Sequence, residues 1–239
     1  MRNKKISIEE SVAYPLAEER FIKTCGFNLE TTKHQRMMKM GAKVRKDGLK
    51  GIDINALVAF YGPEVFEDSI IRIDDIKLQC NYFSQIPKEA VEGVYFYMLT
   101  AGECLFSSEE NIMDFLYADI WGTNYVDAGI HVLTEDYIKK DMRERFAEKD
   151  VYLSEEFGPG YFGMPVIETK KFFSVMDGGL INVRVKESGL MIPQKTCAGL
   201  YLVYNRDDIK AELSCMQCYG NAAGCQFCAV RKAKDEVNA

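Results

Sequence analysis

The chain has 239 residues, 47% of them hydrophobic and 28% charged, with 30 Lys and Arg against 36 Asp and Glu for a net charge of −6. This composition excludes disordered, collagen-like and coiled-coil chains, and the length is ample for a self-sufficient hydrophobic core. The longest apolar runs, such as 94–99, fall well short of the roughly 18 residues a membrane span requires. No apolar stretch follows the basic Met-Arg-Asn-Lys-Lys start, so no secretory signal is expected and a cytoplasmic protein is. The mild acidity argues against a nucleic-acid partner, since phosphate binding relies on clustered Lys and Arg.

In chain order, residues 8–24 carry a helical pattern that Pro15 interrupts. Residues 31–50 set Lys33, Arg36, Lys39, Lys43, Arg45, Lys46 and Lys50 against a lone acid, Asp47, while Met37, Gly41 and Val44 keep a helical apolar spacing. This pattern reads as a helix with a solvated basic face. Residues 76–82 alternate, with Ile76, Leu78, Cys80 and Tyr82 on one face, and predict a half-buried strand. Residues 94–99 predict a fully buried strand, ending at Thr100-Ala101-Gly102. Ser107 with Glu110 makes a capping box, and the proline-free stretch to about residue 147 predicts one or two long helices. Gly122 and Gly129 mark close packing or a break, His131 is not read as a ligand, and Asp136 to Asp150 read as exposed final turns. Two further strands are expected at 180–186 and 200–204. The uneven blocks of helix and strand predict an α+β fold rather than a regular βαβ alternation. The chain divides into an N-terminal helical and strand region at 1–89, a core at 90–210 and a cysteine-rich tail at 211–239.

Backbone punctuation is concentrated between residues 158 and 199, which hold three of the six prolines and seven of the eighteen glycines. Gly158-Pro159-Gly160-Tyr161 puts a rigid proline between residues without Cβ, so the main chain can turn sharply beside a ligand and present the tyrosine ring to a cation or a heteroaromatic base. Lys186-Glu187-Ser188-Gly189-Leu190-Met191-Ile192-Pro193 is a turn-rich link between the two expected strands, where the carboxylate of Glu187 and the hydroxyl of Ser188 can converge on a ligand. With only His34 and His131 in the chain, a hydrolase using a histidine base is not expected.

These two motifs, with Pro165 between them and Gly199 after them, resemble the paired motifs of the activation domain of cobalamin-dependent methionine synthase, and free-standing proteins built on that domain. In that family the first motif reads approximately Arg-x-x-Pro-Gly-Tyr-x-x-x-Pro and the second Thr-Glu-Ser-x-x-Met-x-Pro-x-x-Ser-Val-Ser-Gly. The likeness covers residues 155–204 and extends more weakly back to about residue 90. It implies an α+β domain, an antiparallel sheet flanked by helices, that binds S-adenosylmethionine and docks on a corrinoid-carrying protein. Cobalt stalled there as Co(II) is reduced by one electron and remethylated. The resemblance carries Tyr161 over as the residue beside the ligand, and makes Gly158, Pro159, Gly160, Glu187 and Ser188 cleft residues. Two departures stand out. Glu156 occupies the position of the family arginine, a natural partner for the methionyl carboxylate, and reverses its charge. Lys186 replaces the family threonine and Cys197-Ala198 replaces Val-Ser, so Lys186 or Lys195 is the candidate replacement cation.

Of the eight cysteines, Cys25, Cys80, Cys104 and Cys197 are scattered among apolar residues as small buried hydrophobes would be. The others form Cys215-x2-Cys218 and Cys225-x2-Cys228 on a tight loop. Four thiolates so spaced can close a zinc site, hold an iron–sulfur cluster, or remain metal-free thiols. The leading expectation is therefore a reactivation factor for a corrinoid methyltransferase, transferring methyl from S-adenosylmethionine to cobalt. Its rivals are a scaffold that binds the corrinoid protein without S-adenosylmethionine chemistry, and an iron–sulfur electron donor to the corrinoid.

Overall fold

The computed structural model describes residues 3–48, 51–103, 111–160 and 163–209. The chain runs β1 (Lys4–Ile8), α1 (Glu10–Thr24), α2 (Thr32–Gly48), β2 (Ile54–Tyr61), β3 (Phe66–Glu67), β4 (Ile70–Ile73), β5 (Ile76–Gln79), β6 (Val91–Thr100), α3 (Ile112–Val132), α4 (Lys139–Arg145), β7 (Tyr152–Leu153), α5 (Thr169–Val175), β8 (Arg184–Val185), β9 (Met191–Ile192) and β10 (Thr196–Tyr204). The main sheet has the order β1-β2-β6-β10-β7 and every pairing in it is antiparallel. Strands from both sides of residue 90 thus share one sheet. A three-stranded sheet β3-β4-β5 and the hairpin β8-β9 complete the β structure among the described residues.

The sheet separates two cores, and the two-residue period of its strands sorts the side chains between them. On the central strand β6, Tyr95, Tyr97 and Leu99 enter one core while Val94, Phe96 and Met98 enter the other. On β10, Tyr201 and Val203 go one way and Ala198, Leu200, Leu202 and Tyr204 the other. The first core is closed by α1 to α4, where Phe21 and Trp121 stack at 4.0 Å. The second is closed by the small sheet, α5 and the turns around them.

Several expectations change in detail. Pro15 lies inside an unbroken α1, where its missing N–H forfeits one bond early in the helix. The cap of α3 is Asn111, whose Oδ1 accepts the Met113 N–H at 3.0 Å; Ser107 and Glu110 lie outside the described residues. A π-helical segment, Leu133–Ile138, joins α3 to α4. The charged stretch from 136 is not simply an exposed end, because Ile138 and Met142 are buried. The strand expected at 180–186 is reduced to Arg184–Val185, since Gly178–Ile181 forms a 3-10 turn and Asn182 takes a left-handed φ of 57°. The cysteine tail and Cys104 lie outside the described residues. Buried Cys80 and half-buried Cys25 have thiols whose pKa values burial pushes up to about 11, as expected of inert small hydrophobes.

Candidate functional site

The first motif leaves the sheet edge beside β10. Phe157 exchanges two backbone hydrogen bonds with Leu200, 2.9 and 2.8 Å long, and so fixes where the following turn begins. Gly158 is buried, Pro159 half-buried and Gly160 exposed. Gly160 has a φ of +96°, a conformation costly to a residue with a Cβ, and its N–H closes the turn on the Met164 carbonyl at 2.9 Å. Met164 plugs the second core, and the Asn81 N–H donates to the Gly163 carbonyl at 3.0 Å, clamping the loop from the side of β5. An open hollow of about 440 Å³, lined by Ser69, Ile70, Gln79, Cys80, Asn81 and Ser84, shares Asn81 with this clamp. Tyr161 lies outside the described residues.

The second motif caps the β8-β9 hairpin. The Gly189 N–H donates to the Lys186 carbonyl and the Lys186 N–H to the Leu190 carbonyl, both at 2.9 Å. Gly189 completes the turn at φ +88°, and Glu187 and Ser188 project from it, exposed. The Leu190 N–H reaches Ser188 Oγ at 3.5 Å.

Val166 joins the two turns. A Cβ built on Gly160 would stand 3.3 Å from Val166 Cγ2, and one built on Gly189 would stand 3.7 Å from the Val166 carbonyl oxygen and 3.9 Å from its Cγ1. The two turns therefore flank a single residue. That residue is anchored: Thr169 Oγ1 donates to the Val166 carbonyl at 2.6 Å, and buried Glu168 accepts from the Gln79 N–H at 3.1 Å and from Lys171 Nζ at 2.7 Å. Lys171 also donates to the Lys77 carbonyl at 2.6 Å, so the segment between the motifs is fastened to β5. A carboxylate this deeply buried is tolerable because both a backbone donor and an ammonium satisfy it.

Glu156, the first residue at which the chain departs from the motifs it resembles, is engaged elsewhere in the fold. The Glu156 carboxylate accepts a hydrogen bond from the Tyr97 hydroxyl on the helical face of the sheet, whereas Phe157 and Met164 enter the opposite core. There Glu156 lines a hollow of about 230 Å³ with Arg20, Asp127, His131, Thr134, Glu135 and Tyr201. Burial raises the Asp127 pKa against the pull of Arg20, and the Tyr201 hydroxyl pairs with Thr134 at 3.0 Å. Gly199 makes room for the Tyr97 ring: a Cβ there would lie 2.8 Å from both the Tyr97 hydroxyl and the Phe157 carbonyl. Lys195 is engaged away from the two turns: its Nζ bonds Asp119 Oδ1 at 2.6 Å and Thr123 Oγ1 at 3.0 Å, with its stem against Gly122. Lys186 is exposed and enters no ion pair among the described residues. Arg184, two residues earlier on the same face of β8, is likewise exposed; sequence reading missed it because it looked like the polar side of an ordinary strand.

Among the described residues no group of three or more His, Cys, Asp and Glu side chains is arranged to hold a metal ion. The proposed ligands Cys215, Cys218, Cys225 and Cys228 lie outside those residues. No helix among the described residues is long and apolar enough to cross a membrane.

No family model matches the chain, and no curated protein matches it. Among solved structures it is similar to a crystal structure of the MetH reactivation domain bound to AdoHcy, with a TM-score of 0.60 and 12% sequence identity over 98% of this chain and 88% of that one. A structural likeness at such low identity is a statement about architecture. The α+β chain, with its antiparallel sheet between two unlike cores, has the fold of the MetH reactivation domain.

Proposed function

We propose that the chain binds S-adenosylmethionine in a cleft edged by Gly158, Pro159, Gly160 and Tyr161 on one side and Glu187 and Ser188 on the other. In this reading it docks there on a corrinoid-carrying protein and serves to return that protein's cobalt to the methylated state. The observation that carries the reading is the convergence of the two glycine turns on Val166, in the fold of a domain crystallised with AdoHcy.

In this reading each residue has a task. Without Cβ atoms, Gly158 and Gly160 let a ligand approach the main chain. Tyr161 offers an aromatic face to the adenine or the sulfonium. Glu187 and Ser188 supply exposed acceptors for ribose hydroxyls or the ligand's ammonium. The ligand carboxylate needs a cation, and with Lys195 engaged by Asp119, Lys186 fills that role with Arg184 behind it. When bound, S-adenosylmethionine supplies the methyl group that reduced cobalt on the partner accepts. This chain contributes position, which is worth several kcal/mol in such transfers. Val166, Ile167 and Leu190, 58%, 57% and 48% exposed, offer the partner an apolar rim at the cleft.

Isothermal titration tests this reading. S-adenosylmethionine is expected to bind at one saturable site, with Tyr161→Ala and Lys186→Glu each weakening it by about tenfold, or about 1.4 kcal/mol. An absence of binding to the wild-type chain would overturn the reading and leave the corrinoid-binding scaffold in its place.

A further inference from the structure

The strongest feature outside the cleft is α2. Lys33, Arg36, Lys39, Lys43 and Lys46 are all exposed, and their spacing of three or four residues puts them along one side of the helix. None of the five enters an ion pair among the described residues. Five exposed cations on one helix face, with no ion pair among the described residues, stand out in a chain whose net charge is −6. The stripe spans thirteen helical steps, about 20 Å.

The helix that carries the stripe is firmly seated. A Cβ on Gly41 would lie 2.7 Å from the Phe21 ring, and the Gly41 carbonyl accepts from Trp121 Nε1 at 2.9 Å, so α2 approaches its neighbours as closely as backbone permits. Arg45, on the inner side, stacks 3.9 Å from the Tyr14 ring centre and pairs with Glu10 at 2.9 Å. The fold thus spends one cation on anchoring α2 and holds five others rigidly in solvent. Met40, 46% exposed, lies within the stripe and adds an adaptable apolar contact.

We infer that this face of α2 is a docking surface for an acidic protein, a function separate from the proposed ligand cleft and independent of it. Charge complementarity supports a compact acidic patch over other polyanions. Duplex nucleic acid carries a charge about every 1.7 Å and would extend beyond a stripe about 20 Å long onto a surface that is acidic overall. An anionic membrane recruits amphipathic helices by taking in their apolar face, and that face of α2, with Gly41 and Val44, is already buried against the chain's own core. A partner with carboxylates over a similar length would gain steering and orientation from the stripe.

The test uses the full chain and three labelled probes at matched concentration: a glutamate-rich helical peptide of about 16 residues, a single-stranded oligonucleotide of like length, and phosphatidylglycerol vesicles. The peptide is expected to bind most tightly, to weaken by about tenfold between about 20 and 200 mM salt, and to weaken by at least about tenfold in a Lys39→Glu, Lys43→Glu, Lys46→Glu variant. A milder Arg36→Gln, Lys39→Gln, Lys43→Gln variant with unchanged circular dichroism separates lost charge from lost folding. Failure of the peptide to bind, binding indifferent to salt and to both variants, or preference for the oligonucleotide or the vesicles overturns the inference.

Discussion

Glu156 shows how one side chain's direction decides the meaning of a motif. Its carboxylate occupies the position of a family arginine, yet the Phe157–Leu200 bridge and the gap over Gly199 turn it toward Tyr97, on the opposite side of the sheet from Met164. Glu156→Gln should therefore cost about 1 kcal/mol of stability, as a charge-assisted bond becomes a neutral one, and change S-adenosylhomocysteine affinity by less than about twofold. Thermal denaturation and titration measure both; a tenfold loss of affinity with stability unchanged would return Glu156 to the cleft. The glycines at 160 and 189 were legible in the sequence because turns of positive φ select glycine. The orientation of Glu156 was not, because it depends on Tyr97 and Gly199, residues distant in sequence. Lys195 misled for a similar reason: its partner Asp119 lies on another element, 76 positions away.

One-sided burial leaves a periodic pattern in the sequence, and a continuous apolar run such as 94–99 marks a strand covered on both faces. The alternation in β5 and the helical spacing near α2 follow from one face meeting a core, although the strand expected at 76–82 stops at Gln79, where the 3-10 turn Asn81–Gln85 takes over; 200–204 of β10 meets a core on each face. Strand β2 lies between β1 and β6 with both faces covered, so Ile54–Tyr61 has no alternation to announce it. The helical region after β6 was legible in extent but not in its joint, where the π-helical segment brings Asp141 of α4 under the sheet. There Tyr95 donates to Asp141 Oδ2 at 2.7 Å and Arg145 packs 4.6 Å from the centre of the Phe60 ring. Desolvation pulls the Asp141 pKa upward, but hydrogen bonds from Arg145 and Tyr95 outweigh it and leave the value lowered. A carboxylate with a lowered folded pKa stabilises above its unfolded value, about 3.9, and that contribution is lost as pH falls through the folded value. Tyr95→Phe should then cost about 1 kcal/mol at neutral pH and less near pH 3, measured by urea unfolding at both. An equal cost at the two pH values would remove Asp141 from the account.

At the scale of the molecule, the sheet is a partition. One side holds the helices and presents the basic stripe of α2; the other holds the small sheet, α5 and the turns that converge on Val166. The fold class was legible because the punctuation between 158 and 199 resembles a known pair of motifs, and the shared fold agrees with that resemblance at only 12% identity. The joining of the motifs was not legible, since it runs through Glu168 and its ties to Gln79 and Lys171, which no local pattern announces. Hydrogen exchange with and without saturating S-adenosylhomocysteine tests that joining most directly. Amides in 157–166 and in 184–193 should slow together on adding the ligand, with the α2 amides unchanged. Protection of one segment without the other, or of neither at saturation, would contradict a single cleft closed by both turns.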